Sequence, residues 1–390
     1  MAKFIIPFFK WLFAFVVTRH SRKLADSEQI MLVSEKGNDA RDNGYHFFRH
    51  VQRHHPEIKL YYVITPDSVD RRRFDDCPQQ VIDYLSYRNC KLFWQAKYLV
   101  STHLRAGHTP MPYALSRRLD KVFHFYRGKV VANIKHGITK DFLPRMTYPK
   151  TRYDLLVCGA LPEQRYFVSA YGYPESVAQY LGFCRFDGLV DFQAKRQILV
   201  MPTYRSYLHG IDFTSSDFFK AYSALLGSEQ LKKHLEHSNI RLVFYLHHKF
   251  QPYTHLFKRF EQAPLVTVAD QAHYDVQQLL KESSLLVTDY SSVFFDFAYM
   301  RKPMVFYQFD YAEYRAKHFQ EGYFDYHESF GPVVENLESL LQAMEGYIKN
   351  AFAVEERYRQ RVNEYFPLHD TSNCKRVYDA IMECANKNSR

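Results

Sequence analysis

An α/β architecture with two Rossmann-like, doubly wound domains facing each other across a cleft is predicted by three features of the sequence. Short apolar runs alternate with helical patterns along nearly the whole chain, and they do so in two successive series. Glycine is scarce, at 14 residues in 390, which argues against an all-β protein built on tight turns. Phenylalanine and tyrosine are abundant, at 33 and 31 residues, enough to fill two cores and line a cleft. Repeated strand and helix alternation implies parallel sheets with helices on both faces. The balance of 46% apolar and 24% charged residues fits a globular protein and excludes a disordered or collagenous one.

The first series of strands reads as Gln29 to Val33, Leu60 to Ile64, Tyr98 to Ser101, Val130 to Ile134, Asp154 to Cys158 and Val177 to Leu181. Helical spacing falls between them, as at Tyr45 to His54 and Pro162 to Tyr171. The second series runs Gln197 to Met201, Leu242 to Leu246, Leu265 to Val268, Leu285 to Thr288 and Met304 to Tyr307. Helices follow at Leu337 to Lys349, Ala353 to Glu364 and Asn373 to Ala385. The polar stretch from Phe186 to Arg196 marks the seam. The expected division is therefore 24–190, 191–370 and a C-terminal helix and tail at 371–390, after an opening segment at 1–23.

That opening segment is apolar and aromatic from Phe4 to Val17, interrupted by Pro7 and Lys10 and followed by Arg19, His20, Arg22 and Lys23. It is shorter than the roughly 20 apolar residues a spanning helix needs, and it lacks the small-residue cleavage site of a secretory signal. Two readings stand: an amphipathic segment lying in an anionic membrane interface, or a first helix packed on the body of the protein. A net charge of +10 favours anionic partners. The six cysteines show no CxxC spacing, which suits a reducing compartment. The expected location is the cytoplasmic face of the membrane, peripheral to it.

In open parallel sheets ligands bind where strands end and loops lead into helices, so the residues after each strand carry the functional signal. After the strand ending at Thr288 come Asp289, Tyr290, Ser291 and Ser292, then a helix carrying Asp296. Hydroxyls and backbone N–H groups at a helix start suit a phosphate, although a serine there also serves as a plain cap. The loop Lys135-His136-Gly137 places a histidine where it can accept a proton. Thr203 and Arg205 follow one strand, and His247, His248 and Lys249 follow another. Guanidinium forks suit phosphate oxygens. His46, His50 and His54 recur at helical spacing without a carboxylate or cysteine partner, a weak metal pattern. No DxD, P-loop or strand-linked GxGxxG occurs, and no nucleic-acid signature. Nothing here demands a metal.

The ordered set HGITKD, LGFCRFD, MPTYR, YLHHK and TDYSSVFFDFAYMRKPMVFY resembles the CDP-glycerol glycerophosphotransferases of teichoic-acid and capsule synthesis, from about Lys36 to about Arg376. The resemblance implies a glycosyltransferase-B fold, CDP-glycerol as donor substrate with no cofactor, transfer of glycerol phosphate to a lipid-linked or polymer acceptor, and release of CMP. It implies His136 as the catalytic base, with His247 also catalytic. Gly137, Thr203, Arg205, Lys249, Thr288, Asp289, Ser291, Ser292 and Asp296 are the expected donor contacts, and Arg185 and Asp187 match a further element. Ile138, Cys184, Tyr204 and His248 depart from the family pattern. A CDP-ribitol or CMP-sugar transferase is the alternative within enzymes. A membrane-surface protein binding polyanions is the alternative outside them. No nucleic-acid partner is expected.

Overall fold

Runs of Val, Ile, Leu and Tyr buried on both faces favour parallel strands covered by helices, and among the described residues thirteen strands form two sheets. The computed structural model describes residues 9–18, 29–103, 108–111, 116, 119–121, 124–190, 192–317 and 321–388. The chain divides into two compact units. The first comprises 1–138, 144–188 and 370–390, and the second comprises 139–143 and 189–369.

In the first unit the strands are β1 (Ile30–Ser34), β2 (Lys59–Ile64), β3 (Val81–Asp83), β4 (Tyr98–Ser101), β5 (Val130–Asn133), β6 (Leu155–Cys158) and β7 (Ala178–Tyr180). They pair in the order β3-β2-β1-β4-β5-β6-β7, all parallel. The order reverses between β1 and β4. β3, which the sequence reading lacks, is a three-residue edge strand, too short to show a period.

The helix Asn43–His54 covers this sheet with Phe47, Phe48 and Val51 turned inward. Its start is sealed by a carboxylate from the chain itself. Glu35 is buried, and its oxygens accept from the N–H groups of Arg41, Asp42 and Tyr45 at 2.9–3.0 Å. Gly44 sits so close that a Cβ there would lie 2.7 Å from Glu35 Cγ. The C-terminal helix Asn373–Asn388, expected as an appended element, belongs to this first unit.

The second unit holds β8 (Gln197–Val200), β9 (Arg241–Tyr245), β10 (Val266–Ala269), β11 (Leu285–Thr288), β12 (Met304–Tyr307) and β13 (Val333–Val334). Their order is β10-β9-β8-β11-β12-β13, again parallel throughout, with the reversal between β8 and β11. Its core gathers Tyr222, Leu225, Leu226, Phe244, Phe250, Phe257 and Met344 around the sheet.

A helix at residues 9–18 forms within the opening segment and packs on the body of the protein, the second of the two readings. One side packs on the first unit: Trp11 lies 4.7 Å from Trp94 and 5.4 Å from Phe125, Phe15 lies 4.5 Å from Trp94, and Trp94 Nε1 donates to the Trp11 carbonyl at 3.1 Å. The other side exposes Phe9, Leu12, Phe13, Val16 and Val17, an apolar stripe at i, i+3, i+4, i+7 and i+8. Residues 1–8 and 19–28, including the basic flank, lie outside the described residues. No helix among the described residues is long and apolar enough to cross a membrane.

Candidate functional site

Both sheets carry polar loops at the carboxyl ends of their strands, at or next to the reversal points, where open α/β sheets bind ligands. In the first unit β5 leads into Ile134 and then Lys135, whose positive φ of 48° turns the chain sharply and presents His136. The loop is pinned on several sides. The Lys135 N–H donates to Asn133 Oδ1 at 2.8 Å, and its ammonium pairs with the buried Glu163 carboxylate. The amide of Asn43, fully buried, donates to the Lys135 carbonyl at 2.8 Å, while its oxygen accepts from the Arg185 N–H at 3.0 Å. Arg185 in turn donates to Asp42 at 2.8 Å and to the His136 carbonyl at 3.0 Å.

His136 is exposed, and its ring stacks on His103 at 4.4 Å with 13° between planes. Protein crowding first, then the cationic character of His103, Lys135 and Arg185, pull its pKa down to about 3. His103 is pulled down to about 4 by burial, Lys36 and Arg145. Water reaches the open side of His136 and screens those charges. The ring is neutral at pH 7 and can take a proton. Gly137, next in the loop, is buried.

In the second unit Ser291 is half-buried and Ser292 exposed at the start of the helix Val293–Tyr299, and Ser292 makes no side-chain cap bond. That helix has only seven residues, so its dipole is small and the hydroxyls and loop N–H groups are the main polar resource. Thr203 donates its N–H to Asp289 at 2.8 Å, and its buried Oγ1 has no hydrogen-bond partner, an opening for a ligand oxygen. Across β8, Lys249 is exposed with its ammonium 4.5 Å from the Tyr204 ring, and His247 stacks on Tyr204 at 5.7 Å.

Several expected contacts lie elsewhere. Arg205, expected at the cleft as a guanidinium fork for phosphate, is fully buried. Its Nε and Nη2 donate to Asp310 at 2.8 and 3.0 Å, Nη2 lies 2.9 Å from Asp289, and Nη1 donates to the Thr203 carbonyl at 2.9 Å. Burial works against the charge, and Asp289 and Asp310 outweigh it, keeping the guanidinium protonated. Tyr207 and Tyr290 add hydroxyls to Asp310, and Tyr222 adds one to Asp289. The network ties the ends of β8, β11 and β12 together. Thr288 and Asp289 are both fully buried within that frame, Thr288 Oγ1 donating to the Met201 carbonyl at 2.7 Å. Asp296 is buried on its helix. Asp187 caps the C-terminal helix, accepting from the N–H groups of Asn373 and Cys374 and from the Asn373 amide at 2.7–2.9 Å.

The sequence reading missed His103, Asn43, Asp42 and Asp310. Two of them were accessible to its own rule, since His103 follows β4 and Asp310 follows β12 by a few residues. Among the described residues no group of histidines, cysteines and acids is arranged to hold a metal ion, and His50 and His54 are simply ring neighbours at 4.7 Å.

Two parallel-sheet α/β units with polar loops at the carboxyl ends of their strands form a framework of the kind that binds nucleotides. The profile of the CDP-glycerol:poly(glycerophosphate) glycerophosphotransferases matches residues 15–383, and the chain belongs to that family. It is 30% identical over 385 residues to the minor teichoic acid biosynthesis protein GgaB of Bacillus subtilis, covering 95% of this chain and 41% of that one. A teichoic acid poly(glycerol phosphate) polymerase of the same organism is 24% identical, covering 83% of this chain and 44% of its own. The chain thus spans less than half the length of these relatives. Among solved structures, the wall teichoic acid polymerase TagF superposes with a TM-score of 0.65 at 17% identity over 98% of each chain. A UDP-N-acetylglucosamine 2-epimerase described as putative, from Listeria monocytogenes, gives 0.57 at 12% identity over 92% of this chain and 98% of its own. At such identities the likeness is one of fold.

Proposed function

We propose that the protein transfers glycerol phosphate from CDP-glycerol to a hydroxyl of a membrane-linked acceptor or growing teichoic-acid or capsule polymer, releasing CMP, in a glycosyltransferase-B arrangement. The observation that carries the reading is His136: a neutral imidazole at the end of β5, clamped by Asn43, Arg185 and the Lys135–Glu163 pair, on a chain of this family. The acceptor oxygen attacks the phosphorus bearing glycerol and its proton passes to His136. The bond from that phosphorus to the CMP oxygen breaks, and CMP leaves with the electron pair. Positioning and electrostatic stabilisation do most of the work in such a step. Ser291, Ser292, Thr203 and Lys249 hold the diphosphate, with His247 beside them, and Arg205, Thr288 and Asp289 act from beneath as the frame. Purified protein, CDP-glycerol and lipid-linked acceptors should give CMP and a product heavier by one or more glycerol phosphate units in mass spectrometry; no CMP with any acceptor ends the proposal.

A second donor is favoured by one finding. The ribitol-phosphate polymerase TarK of Staphylococcus aureus is 30% identical over 162 residues, 41% of this chain and 29% of its own. Parallel assays with CDP-glycerol, CDP-ribitol and CMP-sugars separate these donors.

Loss of the Ser292 hydroxyl should weaken CDP-glycerol binding by about ten- to a hundredfold, since a hydrogen bond to a charged group contributes ~1.5–3 kcal/mol. Calorimetric titration of Ser292→Ala checks this, and an unchanged affinity removes Ser292 from the donor site. The exposed stripe on helix 9–18 is read as resting in an anionic membrane interface on the cytoplasmic side. A Phe13→Asp, Val16→Asp double variant should lose flotation with phosphatidylglycerol vesicles that carry the unaltered protein; equal flotation of both rejects that role.

A further inference from the structure

The carboxyl edge of the first sheet carries more cationic character than a single proton acceptor requires. β1 and β4 are adjacent where the strand order reverses, with Ser34 opposite Ser101 and the Thr102 N–H donating to the Ser34 carbonyl at 3.2 Å. Lys36 follows β1 by two residues, and His103 follows β4 by two. His103 stacks on His136, and its Nδ1 lies 2.9 Å from Thr102 Oγ1. Arg145, in the short turn Pro144–Met146, and Lys36 both bear on the charge of His103.

Most cations along this edge are already answered. Lys135 pairs with Glu163, Arg185 with Asp42 and Arg41 with Asp70. Lys36 and Arg145 differ: both are exposed, and neither enters an ion pair among the described residues. The nearest acid in sequence, Glu35, is buried with its oxygens occupied by backbone N–H groups. Glu35 also fills the start of the helix Asn43–His54, the place where a sheet of this kind would otherwise cradle a phosphate. An anion arriving here therefore meets Lys36, Arg145 and His103, at a reversal point and beside a proton acceptor.

We propose that Lys36, Arg145 and His103 form an anion subsite for a phosphodiester of the acceptor, one that sets its neighbouring hydroxyl against His136. This deepens the function proposed above and rests on its reading of His136 as the base. It narrows the acceptor to a chain whose terminal hydroxyl lies within a few bonds of a phosphate, as on an alditol phosphate end, and disfavours a neutral sugar terminus. The donor's diphosphate is the other source of the same chemistry, and the test separates the two.

The experiment is calorimetric titration of the full chain and of the Lys36→Met, Arg145→Met double variant with three probes: a synthetic glycerol–phosphodiester–glycerol dimer, uncharged diglycerol, and CDP-glycerol. The unaltered protein should bind the anionic dimer more tightly than diglycerol, with an affinity that falls as salt is raised. The double variant should bind the dimer at least about tenfold more weakly while its CDP-glycerol affinity stays within about twofold. The subsite is overturned if the dimer does not bind at millimolar concentration, if dimer and diglycerol bind alike, if the double variant keeps the dimer affinity, or if CDP-glycerol binding falls in parallel, which would assign these cations to the donor. Binding needs no turnover, so this result stands apart from the CMP-release assay that tests the function itself.

Discussion

His136→Ala lowers turnover of CDP-glycerol by about 10²–10⁴, the usual cost of a general base, while CDP-glycerol binding and the melting temperature stay close to those of the unaltered protein. The histidine is exposed and its clamp is made through the backbone carbonyls of Lys135 and His136, so the loop keeps its anchors when the ring is removed. Retention of near-normal turnover by a folded variant would unseat the base assignment. The pH profile gives a second reading. A base acts when unprotonated, and His136 is held well below the ordinary histidine pKa by crowding and by His103, Lys135 and Arg185. The acid limb of kcat/KM should therefore lie well below pH 6.5, not at it. The same depression has a cost for stability. Below about pH 6.5 the unfolded chain takes up protons that His103 and His136 refuse in the fold, so stability falls as the pH drops toward their folded values.

Arg205→Met is expected to destabilise the protein severely. The substitution leaves Asp289 and Asp310 facing each other in a buried space with only tyrosine hydroxyls and the N–H groups of Thr203 and Tyr290 to answer them. Breaking a buried pair from one side costs about 3–5 kcal/mol, which for a unit of this size corresponds to a drop in Tm on the order of 10 °C. Thermal unfolding followed by circular dichroism checks this. A variant that melts normally but binds CDP-glycerol weakly would return Arg205 to the donor site and contradict the frame described above.

The contrast between Arg205 and His136 shows where a sequence stops being informative. Each follows a strand, and the rule that ligands gather at strand ends selects both. For His136 the exposure at the strand end is legible, because the turn at Lys135 is local and carries the ring outward. For Arg205 the outcome depends on Asp310, 105 residues further on, and the pairing of two distant loops is invisible to local pattern. Asp187 fails in the same way, its partner Asn373 lying 186 residues away. Strands of four or more residues were legible to within about a residue, as at Tyr98–Ser101, Leu285–Thr288 and Met304–Tyr307. The edge strands β3 and β13, three and two residues long, were not, although β7, also three residues, was read within Val177 to Leu181. His103 was legible and overlooked: the strand-end rule applies to β4 as well as to β5.

The clasp between Asp187 and the start of the C-terminal helix carries an implication for biogenesis. The first α/β unit is interrupted by the whole of 189–369 and is completed only by residues from 370 onward. During synthesis its buried seats for Cys374, Val377 and Ile381 stand vacant until those residues clear the ribosome, so this half of the protein matures late although it is made early.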